Sequence, residues 1–442
     1  MTILPDSPVT SLDEYVAHGG GRALERARAL GPDAIIDLIA ASGLRGRGGA
    51  GFPTARKWRS VCDAGGTRRY VVVNAAEGEP GTFKDRLLIR RNPYQLLEGM
   101  AIGAIAVGAL DAYIGLKAKF RPETERVTGA LREMAGAGWL EGLDVSVVQG
   151  PDDYLYGEET GLLEVIEGND ALPRNVPPYL HGLFATRPQL GWNATPAEPG
   201  EGVAGDNPTL VNNVETFSHV PAIIADGPEA FRSAGTARSP GTTLFTACGD
   251  VTRAGVWELP LGTSLRALLE DCAGGVRDGR ALKMICSGVS NPVLRAELVD
   301  TATDYESLAD AGGGLGSAGF IFYDDTVCAL AVARMFSTFL NVSSCGQCPP
   351  CKIQSGVITE ALAAVEVRGD GNQLPRIERA LLTVADGNRC YLAVEEQVVV
   401  ASILRRFPED VVAHEEGRCT LRHDLALPLL DELTGDRFVY AV

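Results

Sequence analysis

Three cysteines stand at C-x2-C-x2-C spacing in Cys345-Gly346-Gln347-Cys348-Pro349-Pro350-Cys351. At that spacing each thiolate falls about one short turn from the next, so all three can face one centre. A fourth ligand must come from elsewhere, and Cys390, in GNRCYLA, is the best placed, after a helical stretch that can fold back. Three close thiolates and one remote one suit a [4Fe-4S] cubane. Four sulfurs also suit zinc, although zinc ligands usually come two and two. The spacing favours the cluster and leaves zinc as the alternative. The other six cysteines, Cys62, Cys248, Cys272, Cys286, Cys328 and Cys419, are scattered singly. They read as small buried hydrophobes.

A second stretch with chemical content is GRGGAGFPT, Gly46 to Thr54. It satisfies G-x-G-x-x-G, but the dinucleotide fingerprint requires a strand before it and a helix after it. Here the preceding residues have helical rather than β-branched character, and Pro53 stands where a helix begins. The loop is therefore expected to join two helices. Its glycines still permit close backbone approach, and a helix start offers N–H groups to an anion. Arg45, Arg47, Arg56 and Lys57 add local positive charge. The stretch reads as a phosphate- or flavin-binding loop, against the plainer reading of a flexible turn.

The elements that must position these groups fall into three regions, as a chain of 442 residues allows. Residues 1–240 alternate helical periods (22–43, NPYQLLEGMAIGAIAVGAL) with buried β-rich runs (Tyr70 to Val73, DAYIGLKAKF, DVSVVQG). This predicts an α/β layer with a mainly parallel sheet, whose ligands sit beyond the carboxyl ends of its strands. Residues 241–330 read as a small α+β module, with a hairpin around Asp250–Gly255 and a short helix ended by Gly274-Gly275. Residues 331–442 carry several segments at helical period and predict a helical bundle. Residues 187–208 are rich in Pro and Gly and read as an exposed insertion. Lys plus Arg is 40 and Asp plus Glu is 57, a net charge of −17, which disfavours nucleic acid as a partner. No apolar run is long enough to span a membrane, and MTILPDSPVT lacks the regions of a signal peptide. With the crowded thiols, this predicts a reducing, cytoplasmic location, with peripheral attachment to a membrane complex left open.

Five motifs, GLRGRGGAGFPTARKW, VVVNAAEGEPGTFKDR, DYLYGEETGLLEVIEG, PTLVNNVET and SSCGQCPPC, occur in this order. Together they make the chain resemble the FMN-carrying subunit of bacterial NADH dehydrogenase (complex I) and the related diaphorase subunits of NAD-linked hydrogenases and formate dehydrogenases. The resemblance covers nearly the whole chain. It implies an FMN-binding α/β domain, a ubiquitin-like (SLBB-type) middle module and a C-terminal helical domain carrying one [4Fe-4S] cluster. By the same resemblance Gly46, Gly48, Gly49 and Lys57, with Arg47 among them, lie around the FMN phosphate and ring, and Asn74 lies at the flavin. Tyr154, Gly157, Glu158 and Glu159 form the loop beside the flavin, and Asn212 and Asn213 sit at its phosphate–ribityl side. Glu79 and Glu159 are the candidate catalytic carboxylates near flavin and nicotinamide, and Phe52 and Tyr179 would stack on the adenine of NADH. Cys345, Cys348, Cys351 and Cys390 would hold the cluster. Taken singly, Asn212-Asn213 could cap a helix, and Glu158 and Glu159 could favour a helix start.

The chain departs from the family pattern at Ser60, Ala76, Tyr156, Val176 and Tyr179. Val176 replaces a lysine, and such a lost charge-assisted contact is worth about 1.5–3 kcal/mol. The implied function is NAD(P)H oxidation through FMN, with single electrons leaving through the [4Fe-4S] cluster to a thioredoxin-like [2Fe-2S] subunit or a ferredoxin in a larger redox complex. NADH, NADPH and no nucleotide at all stay open, the last being a relay that keeps FMN and cluster but exchanges electrons only between proteins.

Overall fold

The helical pattern of residues 22–43 folds as two helices rather than one. After α1 (Leu12–Ala17), α2 (Arg22–Leu30) ends at Gly31, whose φ of +81° no side-chain-bearing residue adopts comfortably. Pro32 then opens α3 (Pro32–Ser42), because a proline is tolerated in a first turn but not within a helix. The structure is a computed structural model and describes residues 2–66, 68–185, 205–434 and 437–440. Residues 187–204 of the expected insertion lie outside those described. By proximity the chain forms two compact units, Met1–Glu77, Lys84–Leu244 and Glu258–Leu261 in the first, and Gly78–Phe83, Phe245–Trp257 and Gly262–Val442 in the second.

In the first unit α4 (Thr54–Asp63) follows the glycine loop, so the loop does join two helices. Next come β1 (Tyr70–Ala75), α5 (Lys84–Arg91), α6 (Pro93–Val107), β2 (Asp111–Lys117), α7 (Arg121–Gly136) and β3 (Asp144–Gly150). A 3-10 turn (Tyr154–Gly157) leads into α8 (Glu159–Ile166), and β4 (Thr209–Asn213), α9 (Val214–Asp226) and α10 (Pro228–Arg232) complete the unit. The strands form one sheet in the order β3-β2-β1-β4, and every pairing is parallel. Residues Tyr70 to Val73 of β1 are all buried, which explains an unbroken apolar run instead of an alternating one. The chain steps outward from β1 to β2 to β3 and then returns to the far side of β1 as β4. The order therefore reverses between β1 and β4, and crevices for ligands open at such a switch point. The nearly all-buried helix α6 packs on α9, with Gly99 at the crossing, where a Cβ would lie 1.9 Å from the Phe217 carbonyl oxygen.

Strands β5 (Thr242–Gly249) and β6 (Gly255–Pro260) form the expected hairpin, followed by α11 (Leu265–Ala267), β7 (Leu282–Ser287), β8 (Leu294–Arg295), α12 (Tyr305–Asp310) and β9 (Gly319–Asp324). Their order is β6-β5-β9-β7-β8, with the first strand parallel to the last, a ubiquitin-like arrangement. Five helices follow, α13 (Ala329–Ser343), α14 (Pro349–Arg368), α15 (Leu374–Thr383), α16 (Leu392–Arg406) and α17 (Pro408–Glu415). α13 packs against α14 and α16, and α14 against α15 and α17. The described chain closes with an antiparallel hairpin, β10 (Leu430–Thr434) and β11 (Arg437–Tyr440), in the region read as a helical bundle. Among the described residues no helix is long and apolar enough to cross a membrane.

Candidate functional site

The carboxyl ends of β1 and β4 carry the first site. Asn74 and Asn213 are register partners there, as are Val73 and Asn212. Asn74 Nδ2 donates to the Gly157 carbonyl (2.7 Å), and Asn74 Oδ1 accepts from the Ala76 N–H (3.2 Å), tying β1 to the turn before α8. The glycine loop lies against β4 so closely that a Cβ on Gly48 would sit 3.1 Å from Asn213 Cβ. The Arg47 N–H donates to Thr216 Oγ1 (2.9 Å), and its buried guanidinium donates to the Pro240 and Thr242 carbonyls. Lys57, in the first turn of α4, donates to Glu159 Oε2 (2.6 Å) and to the Val211 carbonyl (3.0 Å). Four separate motifs thus meet at the switch point, through Gly48, Lys57, Asn74, Gly157, Glu159 and Asn213.

Several expected residues are committed to local structure. Glu158 caps α8, its carboxylate accepting from the Thr160 and Gly161 N–H groups (2.9 and 2.8 Å), and burial raises its pKa in spite of those bonds. Asn213 caps α9 by accepting from the Glu215 N–H (2.9 Å). Asn212, with its amide oriented by its neighbours, donates to the Val211 carbonyl and accepts from the Trp58 indole, both at 2.9 Å. The Gly46 N–H closes the loop onto the Phe52 carbonyl (2.8 Å). Phe52 is 42% exposed, with the Arg56 guanidinium 5.6 Å from its ring centre. Tyr154 opens the 3-10 turn, and Tyr179 is half-buried within the turn closed by Leu180 N–H on the Pro177 carbonyl (3.0 Å). Glu79 belongs to the second unit, where its Oε1 accepts from the Val289 N–H (2.8 Å) and fills the space over Gly288.

Two features test whether a flavin phosphate fits. Thr54 Oγ1, at the start of α4, is buried and has no hydrogen-bond partner. Gly49 adopts φ +130°, and a Cβ there would meet nothing within 4 Å. An unpartnered hydroxyl at a helix start and a glycine loop with room for a ligand each suit an anion. The residues therefore fit FMN.

Tyr156 shows how one departure is absorbed. It is fully buried in the core that Tyr70, Val72 and Leu162 share, and its ring occupies the space over the strand glycine Gly150. A Cβ on Gly150 would lie 2.4 Å from Tyr156 Cζ, whereas one on Gly115 would meet Leu162 Cδ1 first, at 2.4 Å, with the Tyr156 hydroxyl oxygen at 3.0 Å.

Charges beneath the site escaped the sequence reading. Lys84 is 1% exposed and meets Asp85 Oδ1 (2.7 Å), Glu215 Oε2 (2.9 Å) and Asn213 Oδ1 (3.3 Å). Burial opposes the ammonium, but Asp85 and Glu215 raise its pKa above the ordinary value. Burial would raise Glu215, yet Lys84, His219 and Arg47 bring it down to about 2. Burial and the neighbouring Asp85 push Glu77 up to about 8, although it accepts from the Asp85 and Arg86 N–H groups (2.9 and 3.3 Å). Glu77 thus keeps its proton near neutral pH while Glu215 is ionised. Their signal was the charged FKDR stretch after a buried strand, which reads as surface when buried partners are unknown.

The second site lies in the helical part of the second unit. Cys348 caps α14, Cys351 lies in its first turn, and Cys345 sits in the link from α13. Cys390 comes just before α16, which packs against α13 and α14. Cys345 is exposed, Cys348 and Cys390 are intermediate, and Cys351 is buried, with no disulfide at any of them. Ser344 Oγ lies 3.3 Å from Cys351 Sγ, and Gln347 Nε2 lies 3.6 Å from Cys345 Sγ, contacts that tune sulfur ligands. Lys352 is tied back to the Asn341 and Ser344 carbonyls (2.7 and 3.3 Å) at the end of α13. Among the described residues, the ligand atoms that close to within 4.8 Å of one another, as a single ion requires, belong to a different group. The all-thiol donor set therefore fits a [4Fe-4S] cluster better than zinc.

A parallel sheet with a switch-point anion site, followed by a ubiquitin-like module and a thiol-bearing helical region, defines a flavin- and cluster-binding electron-transfer protein. The comparisons agree. Residues 39–222 match the Nuo51 FMN-binding domain, and residues 331–414 match the NADH-ubiquinone oxidoreductase-F iron-sulfur binding region. The F 2 subunit of the NADH-quinone oxidoreductase of Rhizobium meliloti is 38% identical, over 92% of this chain and 95% of its own. Subunit HndC of the NADP-reducing hydrogenase of Solidesulfovibrio fructosivorans is 33% identical, over 92% and 81%. Among solved structures, the H2-reduced NAD+-reducing NiFe-hydrogenase aligns with a TM-score of 0.78 at 30% identity, over 92% of this chain and 67% of that one. The chain belongs to the family of NADH-quinone oxidoreductase F subunits and their hydrogenase counterparts.

Proposed function

We propose that this chain is the NADH-oxidising FMN subunit of a larger redox complex and passes electrons to an iron–sulfur partner, a thioredoxin-like [2Fe-2S] subunit or a ferredoxin. The observation that carries the reading is the meeting of Gly48, Lys57, Asn74, Glu159 and Asn213 at the β1/β4 switch point. When bound, FMN supplies hydride acceptance from the nicotinamide and release of electrons one at a time to the cluster. The start of α4, with Thr54 and Lys57, holds the phosphate. Asn74 and the Gly157 turn orient the ring, and Glu159 and Glu79 are the candidate catalytic carboxylates. Phe52, left exposed, is poised with Tyr179 to take the adenine. Cys345, Cys348, Cys351 and Cys390 ligate the cluster. The corresponding division of the chain is 1–240 for flavin and nucleotide, 241–330 for the ubiquitin-like module and 331–442 for the cluster.

The test is an anaerobic titration of the full chain, reconstituted with FMN and cluster, using NADH and then NADPH. Bleaching of the flavin band by either nucleotide, with a reduced-cluster signal in electron paramagnetic resonance, is the expected result. Reduction by dithionite but by neither nucleotide would overturn the reading and leave a protein-to-protein relay.

A further inference from the structure

Two of the scattered cysteines are not the small buried hydrophobes the sequence suggested. Cys328 Sγ lies 3.2 Å from His414 Nε2, and Cys419 Sγ lies 3.4 Å from His423 Nε2. One ligand atom from each of these four residues lies within 4.8 Å of all the others. Cys328 and His414 are buried, and Cys419 and His423 are half-buried. Cys328 caps α13, His414 lies in the last turn of α17, and Cys419 and His423 follow in the segment beyond it. That segment is fixed beside Cys328 by two backbone bonds, Cys328 N–H to the Arg422 carbonyl (3.1 Å) and Arg422 N–H to the Thr326 carbonyl (2.6 Å).

We propose that Cys328, His414, Cys419 and His423 bind one zinc ion. Two thiol–imidazole hydrogen bonds would account for the two short distances, but not for the way both rings are held. His414 Nδ1 bonds the Glu366 backbone carbonyl (2.8 Å), which fixes the proton on Nδ1 and leaves the Nε2 lone pair facing sulfur. His423 Nδ1 bonds the Glu366 carboxylate (3.0 Å) in the same sense. One residue of α14 thus orients both imidazoles from behind, the carboxylate- and carbonyl-backed arrangement typical of metal-ligating histidines. The rings stand edge to face at 86° with centres 5.0 Å apart, so their nitrogens approach from different directions. Around zinc, with Zn–S near 2.3 Å and Zn–N near 2.0–2.1 Å, tetrahedral ligand atoms sit about 3.4–3.8 Å apart. The group needs only small side-chain adjustments to reach that size. Two thiolates and two imidazoles select zinc over magnesium or calcium. Four protein ligands leave no open position, so the ion is structural. Binding displaces the two thiol protons to solvent and consumes no electrons. The ion would fasten the segment after α17 to the starts of α13 and the flank of α14, independently of the [4Fe-4S] cysteines.

The test begins with the full chain purified without chelator, measuring zinc, iron and acid-labile sulfide together. The expected result is one zinc per chain beside the iron of the cluster, and X-ray absorption at the zinc edge showing two sulfurs and two nitrogens. The double variant Cys419→Ser/His423→Gln should lose at least ten-fold in zinc content while iron, sulfide and flavin stay at wild-type levels. Because that variant needs a folded chain, the wild-type absorption spectrum stands as a second measurement, and cobalt substitution should give the intense visible bands of a tetrahedral thiolate site. Wild-type protein with less than a tenth of a zinc per chain, and no such bands on adding cobalt, would overturn the proposal. So would a zinc edge showing four sulfurs, which would put the ion on the Cys345 group instead. Loss of flavin reduction by nucleotides touches neither outcome.

Discussion

Glu396 sits fully buried in α16, with one carboxyl oxygen accepting from Ser337 Oγ (2.6 Å) and the other without a partner. Burial raises its pKa from the ordinary 4.5 to about 8, with the Ser337 bond opposing only in part. An unfolded chain therefore releases this proton near 4.5, whereas the folded chain keeps it to about 8. Between those values folding stability falls as pH rises, and above them it levels off. Glu396→Gln should remove this decline and stabilise the protein at neutral pH by about 1–3 kcal/mol, read as a flattened pH profile of the unfolding midpoint. The opposite sign applies to Lys84. Lys84→Met strands Asp85 and Glu215 without their buried cation, and a loss of about 3–5 kcal/mol in unfolding free energy is expected. At the site itself, Lys57→Gln removes a charge-assisted contact, and FMN dissociation measured by fluorescence recovery should become about tenfold to a hundredfold easier. An unchanged FMN affinity would take Lys57 out of the phosphate site.

The elements were legible where one force decides them. Residues 70–73 read as a buried strand because β1 is covered on both faces, and the loop from Gly46 read as a helix-to-helix link because the residues before it are helical in character and Pro53 marks a helix start, where it caps α4. The break at Gly31 was missed because apolar spacing runs through it, and backbone geometry overrides that spacing. The Glu366-backed quartet was hidden because Cys328 and His414 come from helices far apart in the chain, and only packing brings them together. Buried charges such as Lys84 were hidden because charged residues are normally exposed and their partners lie on other elements. The same close packing gives a test at the α6–α9 crossing. Gly99→Ala places a methyl into the Phe217 carbonyl, and the helices must separate. The unfolding midpoint should drop by an amount equivalent to about 1–3 kcal/mol, with parallel loss of bound flavin if β4 moves with α9.

At the scale of the molecule, neither compact unit is continuous in sequence, since the start of β5 (242–244) and the end of β6 (258–260) group with the first unit while residues 78–83 group with the second. Glu215, the deepest carboxylate under the flavin site, accepts from Thr243 Oγ1 (2.8 Å) and the Leu244 N–H (2.9 Å). A fragment ending at residue 240 loses both donors. Such a fragment is expected to unfold without cooperativity and to retain no FMN, whereas the full chain retains it; a fragment that melts cooperatively and stays yellow would show that these donors are dispensable. Tyr156 sets a different kind of constraint. Its ring takes the room of an absent methyl group on Gly150, at the end of β3. In any path of single substitutions that keeps the core intact, Gly150 must be in place before the aromatic arrives, and it is not free to change once it has. The order of events is written into the packing, and the two positions are inherited as one trait.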